Sequence, residues 1–306
     1  MTMQLYQPIL DRAREFFAAS NPEPRRIFHG RGHMYPGLEH INVDWYPPVL
    51  LIAAYSEVAS VDQLAQLILE ADKHGQIESV IHQSRSSQGS TANYLKGEAG
   101  PPHVVSEHGV KYEVQPGVNQ NVGLFLDMRP MRKWLLDYSK GKNVLNLFAY
   151  TCSLSVAALQ GDARQVVSVD MSKPSINWGK RNHELNGHDL RKVRSMPHNL
   201  FKSWAKVQQY GPYDTVIIDP PTRQRGSFDA EKDYATILKR LKRYLAPNAD
   251  VMATLNSPYL GIDYLPNLMQ RYQSGVRLIG EFPASPEFVD QYPERALKIF
   301  HFRGTA

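Results

Sequence analysis

The chain has 306 residues, 42% of them hydrophobic and 21% charged, with a net charge of +5 and a pI near 9.1, which calls for a packed core in one large or two ordinary domains and favours polyanionic partners. A single cysteine excludes an internal disulfide framework and suits a reducing cytosol. The longest strongly apolar run, residues 49–55, is far short of the roughly 20 residues that span a bilayer, and the opening MTMQLYQPILDRAREFF lacks the order of a secretory leader, so the expectation is a cytoplasmic protein with no membrane partner.

Residues 6–19 place Leu10, Ala13, Phe16 and Phe17 at helical spacing and predict an amphipathic helix. The basic, Gly/Pro-rich stretch 25–37 (RRIFHGRGHMYPG) reads either as a solvated linker or as a nucleic-acid contact strip. A strand at 49–55, a helix at 61–74 and a strand at 77–83 make one small βαβ unit, followed by a polar loop, SRSSQGSTANYLKG. Alternation over 104–114 around Glu107-His108-Gly109 predicts a hairpin. The domain boundary is placed near Gly117, giving a small α+β domain over 1–117 and a second domain over 118–306.

From Asn143 the rhythm becomes strand–helix alternation. Strands are expected at 143–149, 165–169, 192–196, 213–218, 249–255, 276–282 and 296–302. Helices are expected at 153–160, 173–186, 199–208, 231–244 and 261–272. That pattern implies an α/β fold, a doubly wound, Rossmann-like seven-stranded sheet with the smaller α+β domain ahead of it. The last two strands, with no clear helix between them, suggest an antiparallel hairpin at the sheet edge.

Ligands of such sheets bind outside the carboxyl ends of the strands, and three signals collect there. NLFAYTCSLS joins the first strand to a helix whose N-terminus can hold a polar ligand. VVSVDMSK closes the second strand with Asp170, followed by Met171 and Ser172; a carboxylate about 20 residues past the first turn is placed to bind the two hydroxyls of a ribose. YDTVIIDPPT ends the fourth strand in Asp219-Pro220-Pro221-Thr222, a stiff loop that offers carbonyls and a carboxylate to a planar base. Taken singly, each piece reads as a helix cap or a turn.

Together these stretches resemble the class I S-adenosylmethionine-dependent methyltransferases, and more narrowly the bacterial 23S ribosomal RNA methyltransferases with a DPP motif. The likeness is greatest to the guanine-N7-methylating half of the bifunctional large-subunit enzyme. VGLFLDMRPMRKWL is similar to the family's segment beside the cofactor, and INVDWYPPVLLIAAYSE and VIHQSRSSQGSTANYLKGE look like its small RNA-binding domain. The resemblance implies S-adenosyl-L-methionine as cofactor. It assigns Asn146, Phe148, Tyr150, Thr151 and Cys152 to the first cofactor loop, Asp170, Met171 and Ser172 to the ribose end, and Phe125, Asp127 and Arg129 to the adjoining segment. Asp219, Pro220, Pro221 and Thr222 match the target-base loop, with Asn256 a candidate for reading the base edge. Two departures stand out. Cys152 replaces the family's glycine, where it could crowd the methionine moiety, and His198-Asn199 stand where an acidic residue commonly meets the adenine.

Cytosine-C5 methylation requires a thiolate on the target-base side, and the lone Cys152 lies in the other loop. Direct in-line transfer to a nitrogen of guanine in 23S rRNA is therefore the expected reaction. Arg223, Arg225 and Phe228 after the base loop, with Lys239 and Arg243 on the next helix, are the expected RNA contacts, Phe228 or Tyr234 stacking on an extruded base. No metal site is expected. An RNA-binding protein with a degenerate cofactor site and a methyltransferase acting on a non-ribosomal acceptor stay open. The sequence leaves the oligomeric state unknown.

Overall fold

The structure is a computed structural model that describes residues 2–98, 100–221, 223–224, 228–257 and 259–305. By contacts the chain forms two units, Met1–Asp127 with Ser285–Pro293, and Met128–Ala284 with Glu294–Ala306. The division by contacts thus falls ten residues beyond Gly117, and the first unit also takes in a segment from near the C-terminus.

In the first unit, helix α1 (Gln7–Phe17) buries Ile9, Leu10, Ala13 and Phe17. A five-stranded sheet follows in sequential order: β1 (Arg25–His29), β2 (Ile41–Tyr46), β3 (Val49–Ala54), β4 (Ser79–Ser86) and β5 (Gly89–Lys96). Helix α2 (Val61–Ala71) makes the crossover between β3 and β4, which pair in parallel as the predicted βαβ unit. The stretch 25–37 is not a solvated linker. It supplies β1, whose Ile27 and Phe28 are buried, and a 3-10 turn, Gly30–Gly32. Gly30 is required there, because a Cβ would sit 2.0 Å from Leu38 O and 2.3 Å from Ile41 O. The polar loop after β4 is likewise a hairpin, β4 against β5. The strands β6 (His103–Glu107) and β7 (Val110–Val114) form the predicted second hairpin.

The second unit opens with α3 (Arg129–Tyr138), which the sequence reading had not separated as a helix. Then come β8 (Asn143–Leu147), α4 (Ser153–Gln160), β9 (Gln165–Asp170), α5 (Lys173–Leu185), β10 (Val193–Pro197), α6 (Trp204–Gln208) and β11 (Tyr213–Ile218). A two-stranded ribbon, β12 (Arg223–Gln224) with β13 (Phe228–Asp229), precedes α7 (Ala230–Leu241). β14 (Leu245–Leu255), α8 (Tyr264–Tyr272), β15 (Val276–Glu281) and β16 (Lys298–Gly304) complete it. The expected helix over 199–208 is split into a 3-10 turn, Leu200–Lys202, and the short α6.

The seven-stranded sheet has the order β10-β9-β8-β11-β14-β16-β15. β10, β9, β8, β11 and β14 pair in parallel. The last two strands pair antiparallel as expected, but β16 lies inside, between β14 and the edge strand β15. Residues alternate between the two faces, as strand pleating demands. Val144, Val166, Ile217 and Met252 meet α3 and α4 on one face, and Leu145, Val167, Val216 and Val251 meet α6, α7 and α8 on the other. Layers on both faces leave the carboxyl ends of the parallel strands as the open edge for a ligand. Among the described residues no helix is long and apolar enough to cross a membrane.

Candidate active site

The loop after β8 is bent to an unusual degree. Phe148, Tyr150 and Cys152 have φ of 61°, 46° and 60°, a left-handed region that non-glycine residues rarely enter. Such a run persists only when its surroundings hold it. Ala149 N–H donates to Val169 O at 3.0 Å, and Cys152 N–H to Ala149 O at 2.7 Å. Asn182 on α5 donates to Thr151 O at 3.0 Å. Tyr150 N–H donates to Asp170 Oδ2 at 2.9 Å.

Asp170 ends β9 and is half-buried. Its other oxygen accepts the Ser172 N–H at 2.8 Å, and Ser172 in turn caps α5 through Ser175 N–H. Asp170 is thus not itself the helix cap but the clasp of the first loop and of the turn that leads into α5. An ionised carboxylate offers about four lone-pair sites, so these two N–H bonds leave capacity on each oxygen for a further donor. Met171 beside it is 49% exposed, an apolar surface next to the carboxylate.

Beneath the loop, Asn146 is fully buried and donates to Ser155 Oγ at 2.9 Å, which lies 2.7 Å from Ser168 Oγ. Asn146 therefore supports the loop from below rather than lining its surface, and its Oδ1 has no protein partner. The sequence reading missed Ser155, Ser168 and Asn182; polar residues inside the apolar runs SVAAL and VVSV were the available signal.

Cys152 does not point where its place in the loop suggests. It is 1% exposed and packs with Ala149 and Ile176. A Cβ on Gly179 of α5 would fall 2.3 Å from its Sγ and 2.7 Å from its Cβ. The thiol occupies the space that Gly179 leaves, so it does not crowd the cofactor side. Burial pushes its pKa up to about 12, against a partial offset from a hydrogen bond with Ser168. A thiol with that pKa is neutral near pH 7 and is no nucleophile. Gly179→Ala should cost about 1–3 kcal/mol by overpacking. Adding Cys152→Gly should recover most of that loss in urea unfolding; equal, additive losses would show that the two residues do not share the space.

At the end of β11, Asp219 is half-buried and its Oδ1 accepts from Thr254 Oγ1 at 2.7 Å. Pro220 is buried and Pro221 exposed. Asn256 is exposed just past β14, the strand that carries Thr254. Phe228 is a correction: it is 2% exposed, wedged edge-on against Phe148 at 5.1 Å and Tyr234 at 5.7 Å, and cannot stack on a base. Tyr234 is equally buried, its hydroxyl donating to Thr254 O, and burial raises its pKa well above the usual phenol value. Both aromatics are packed into the core beside the end of β11.

Lys239 and Arg243 are exposed on and just after α7, Lys239 lying 4.9 Å from the Tyr272 ring. Thr222 and Arg225 lie outside the described residues, and so does the side chain of Arg223. His198 Nε2 is 3.2 Å from Lys206 Nζ. The Asn199 side chain accepts from Phe201 N–H at 2.9 Å, which makes it the cap of the turn that follows. Phe125 and Asp127 belong to the first unit and Arg129 begins α3 in the second. Among the described residues no cluster of three or more His, Cys, Asp or Glu could hold a metal ion.

The family model for S-adenosylmethionine-dependent methyltransferases matches residues 25–303. The ribosomal RNA large subunit methyltransferase K/L of Shewanella frigidimarina is 32% identical over 238 residues, covering 73% of this chain. The matched region is 33% of that relative, so the chain spans about a third of its length. Two solved structures share the fold. One is described as an S-adenosylmethionine-dependent methyltransferase from Streptococcus mutans (TM-score 0.83, 25% identity, 99% of this chain and 80% of that one). The other is a methyltransferase complexed with SAH (TM-score 0.84, 24% identity, with the same coverage). The residues present fit the cofactor: a reachable carboxylate with lone pairs to spare, a tightly turned loop at a helix N-terminus, and an exposed methionine beside them. The chain belongs to the S-adenosylmethionine-dependent methyltransferase family.

Proposed function

We propose that the chain methylates a guanine nitrogen in 23S ribosomal RNA, in the cytoplasm, by direct in-line transfer. The observation that carries the nitrogen target is the position of the sole thiol. Cys152 is buried under α5 with a pKa raised to about 12, which leaves no nucleophile for the cytosine-C5 route. The large-subunit rRNA relatives support the substrate class.

In this reading Asp170 holds the ribose hydroxyls, while the first loop and Arg129 line the rest of the cofactor. When bound, S-adenosylmethionine supplies an activated methyl group. Asp219, fixed by Thr254, and the Pro220-Pro221 backbone hold the acceptor base in line, with Asn256 reading its edge. Guanine N7 has an in-plane lone pair and needs no general base, so alignment is the main contribution of these residues. Arg223, Arg225, Lys239 and Arg243 neutralise RNA phosphates.

Mass spectrometry of ribosomal RNA nucleosides from cells with and without the gene tests the proposal. Loss of one methylguanosine on deletion, restored by the wild-type gene and not by Asp219→Ala, is expected. An unchanged profile would move the acceptor away from ribosomal RNA.

A further inference from the structure

The sheet of the first unit gathers a second cluster that methyl transfer does not use. β1 is antiparallel to β2, β2 to β3, and β3 is parallel to β4, so β1, β3 and β4 run in one direction. Their C-terminal ends share an edge. Ala54 is in register with Ser84, so the next residues, Tyr55 and Arg85, are neighbours there. The turn after β1 brings in Arg31, whose N–H donates to Asn42 Oδ1 at 3.4 Å.

The guanidinium carbon of Arg31 sits 4.1 Å from the centroid of the Tyr55 ring, and that of Arg85 5.7 Å from the same centroid. Arg85 also donates to Tyr55 Oη at 3.0 Å and to Gln83 Oε1 at 2.8 Å. Every one of these partners is neutral. Among the described residues neither arginine forms a salt bridge.

Contact with a ring fixes a guanidinium without consuming its N–H donors, and two cations gathered on one ring repel each other unless an anion comes between them. Among the described residues no carboxylate of the first unit serves as that anion. The paired hairpin adds one hydroxyl on the same face, that of Ser90 opposite Arg85. Arginine forks with a nearby serine hydroxyl are a donor set that nucleic-acid backbones use. Arg31 is exposed, so the cluster is an open surface rather than the enclosed pocket a small phosphorylated metabolite would need.

We propose that Arg31, Tyr55 and Arg85 form a clamp for a backbone phosphate of the RNA substrate. The clamp rests on the reading of the chain as an RNA methyltransferase and locates a contact of that RNA on the first unit. Both arginines meet the same phosphate, and Tyr55 is a positioning residue that holds the two guanidinium groups.

The test is fluorescence anisotropy with deproteinised 23S rRNA fragments and a labelled single-stranded RNA, over a salt series. SAH titration and thermal melting of each variant serve as controls. Arg31→Ala with Arg85→Ala should weaken RNA binding about 10- to 100-fold and flatten the slope of log K against log salt by roughly 1, since one phosphate is no longer neutralised. SAH affinity and the melting temperature should stay at wild-type values. Tyr55→Leu should weaken RNA binding with the salt slope retained, because both charges remain. RNA binding by the double variant equal to that of the wild type would overturn the clamp and leave the RNA reading standing. Absence of RNA binding by the wild type, with SAH still bound, would overturn both. Displacement of RNA by low-millimolar inorganic phosphate would overturn the clamp in favour of a free phosphoryl ligand.

Discussion

Asp170→Ala should weaken SAH binding by about 100-fold or more, with the fold intact. The carboxylate is expected to accept two charge-assisted hydrogen bonds from the ribose hydroxyls, each contributing about 1.5–3 kcal/mol. It also clasps the first loop through Tyr150 N–H, at a point where three residues have positive φ. Both effects weaken the cofactor and neither removes packed apolar surface. Isothermal titration with SAH measures the loss, and a thermal melt within a few degrees of wild type shows that the protein is folded. Affinity within about threefold of wild type would mean that the ribose lies elsewhere.

Asp250→Ala should be the most destabilising of the substitutions considered, by about 2–4 kcal/mol, because it removes three charge-assisted hydrogen bonds to a buried carboxylate. Asp250 is 3% exposed in β14 and is met by Lys142 at 2.7 Å, His301 at 2.8 Å and Arg303 at 2.8 Å. Burial alone would raise its pKa, but hydrogen bonds from His301, Lys142 and Arg303 outweigh it and hold the carboxyl well below the usual range. A depressed folded-state pKa contributes stability that is present above the unfolded value, about 4, and is lost as pH falls through the folded value. The gap in urea midpoint between wild type and variant should therefore be wide at pH 7 and close progressively below about pH 4. Asp250 is in register with Thr215, near the start of β11, so it stands at the opposite end of the strands from Asp170. SAH affinity of the folded variant should be unchanged. A gap that persists undiminished into strong acid would mean that the carboxylate is not the source of the stability.

Most of the second unit was legible because its strands are buried on both faces. Such strands read as continuous apolar runs such as NVLNL and TVII, closed by turn residues. The first unit was harder for a physical reason. RRIFH hides a strand because Arg26 is neutralised by Asp44 of β2, at 2.7 and 3.0 Å, and a pairing across 18 residues leaves no local period. β5 reads as a loop because hydroxyls replace an apolar face. In the site, the strand-end carboxylates Asp170 and Asp219 could be placed from spacing alone. The direction of the Cys152 side chain could not, since it depends on the missing Cβ of Gly179 on another helix. Phe228 looked like a stacking residue beside two arginines, and only tertiary packing against Phe148 and Tyr234 turns it inward.

Between β15 and β16 the chain spends residues 285–293 in the first unit. There Glu287 meets Arg25 at 2.6 Å, Phe288 lies 4.6 Å from the Arg26 guanidinium, and Val289 O abuts Gly32. On the ribosome, therefore, the N-terminal unit cannot complete its own contacts until residue 293 has been synthesised. By then all but the last strand of the other unit has been synthesised. The usual order, in which an N-terminal domain closes before the next begins, is not open to this chain. A deletion between β15 and β16 would injure the beginning of the protein as much as its end.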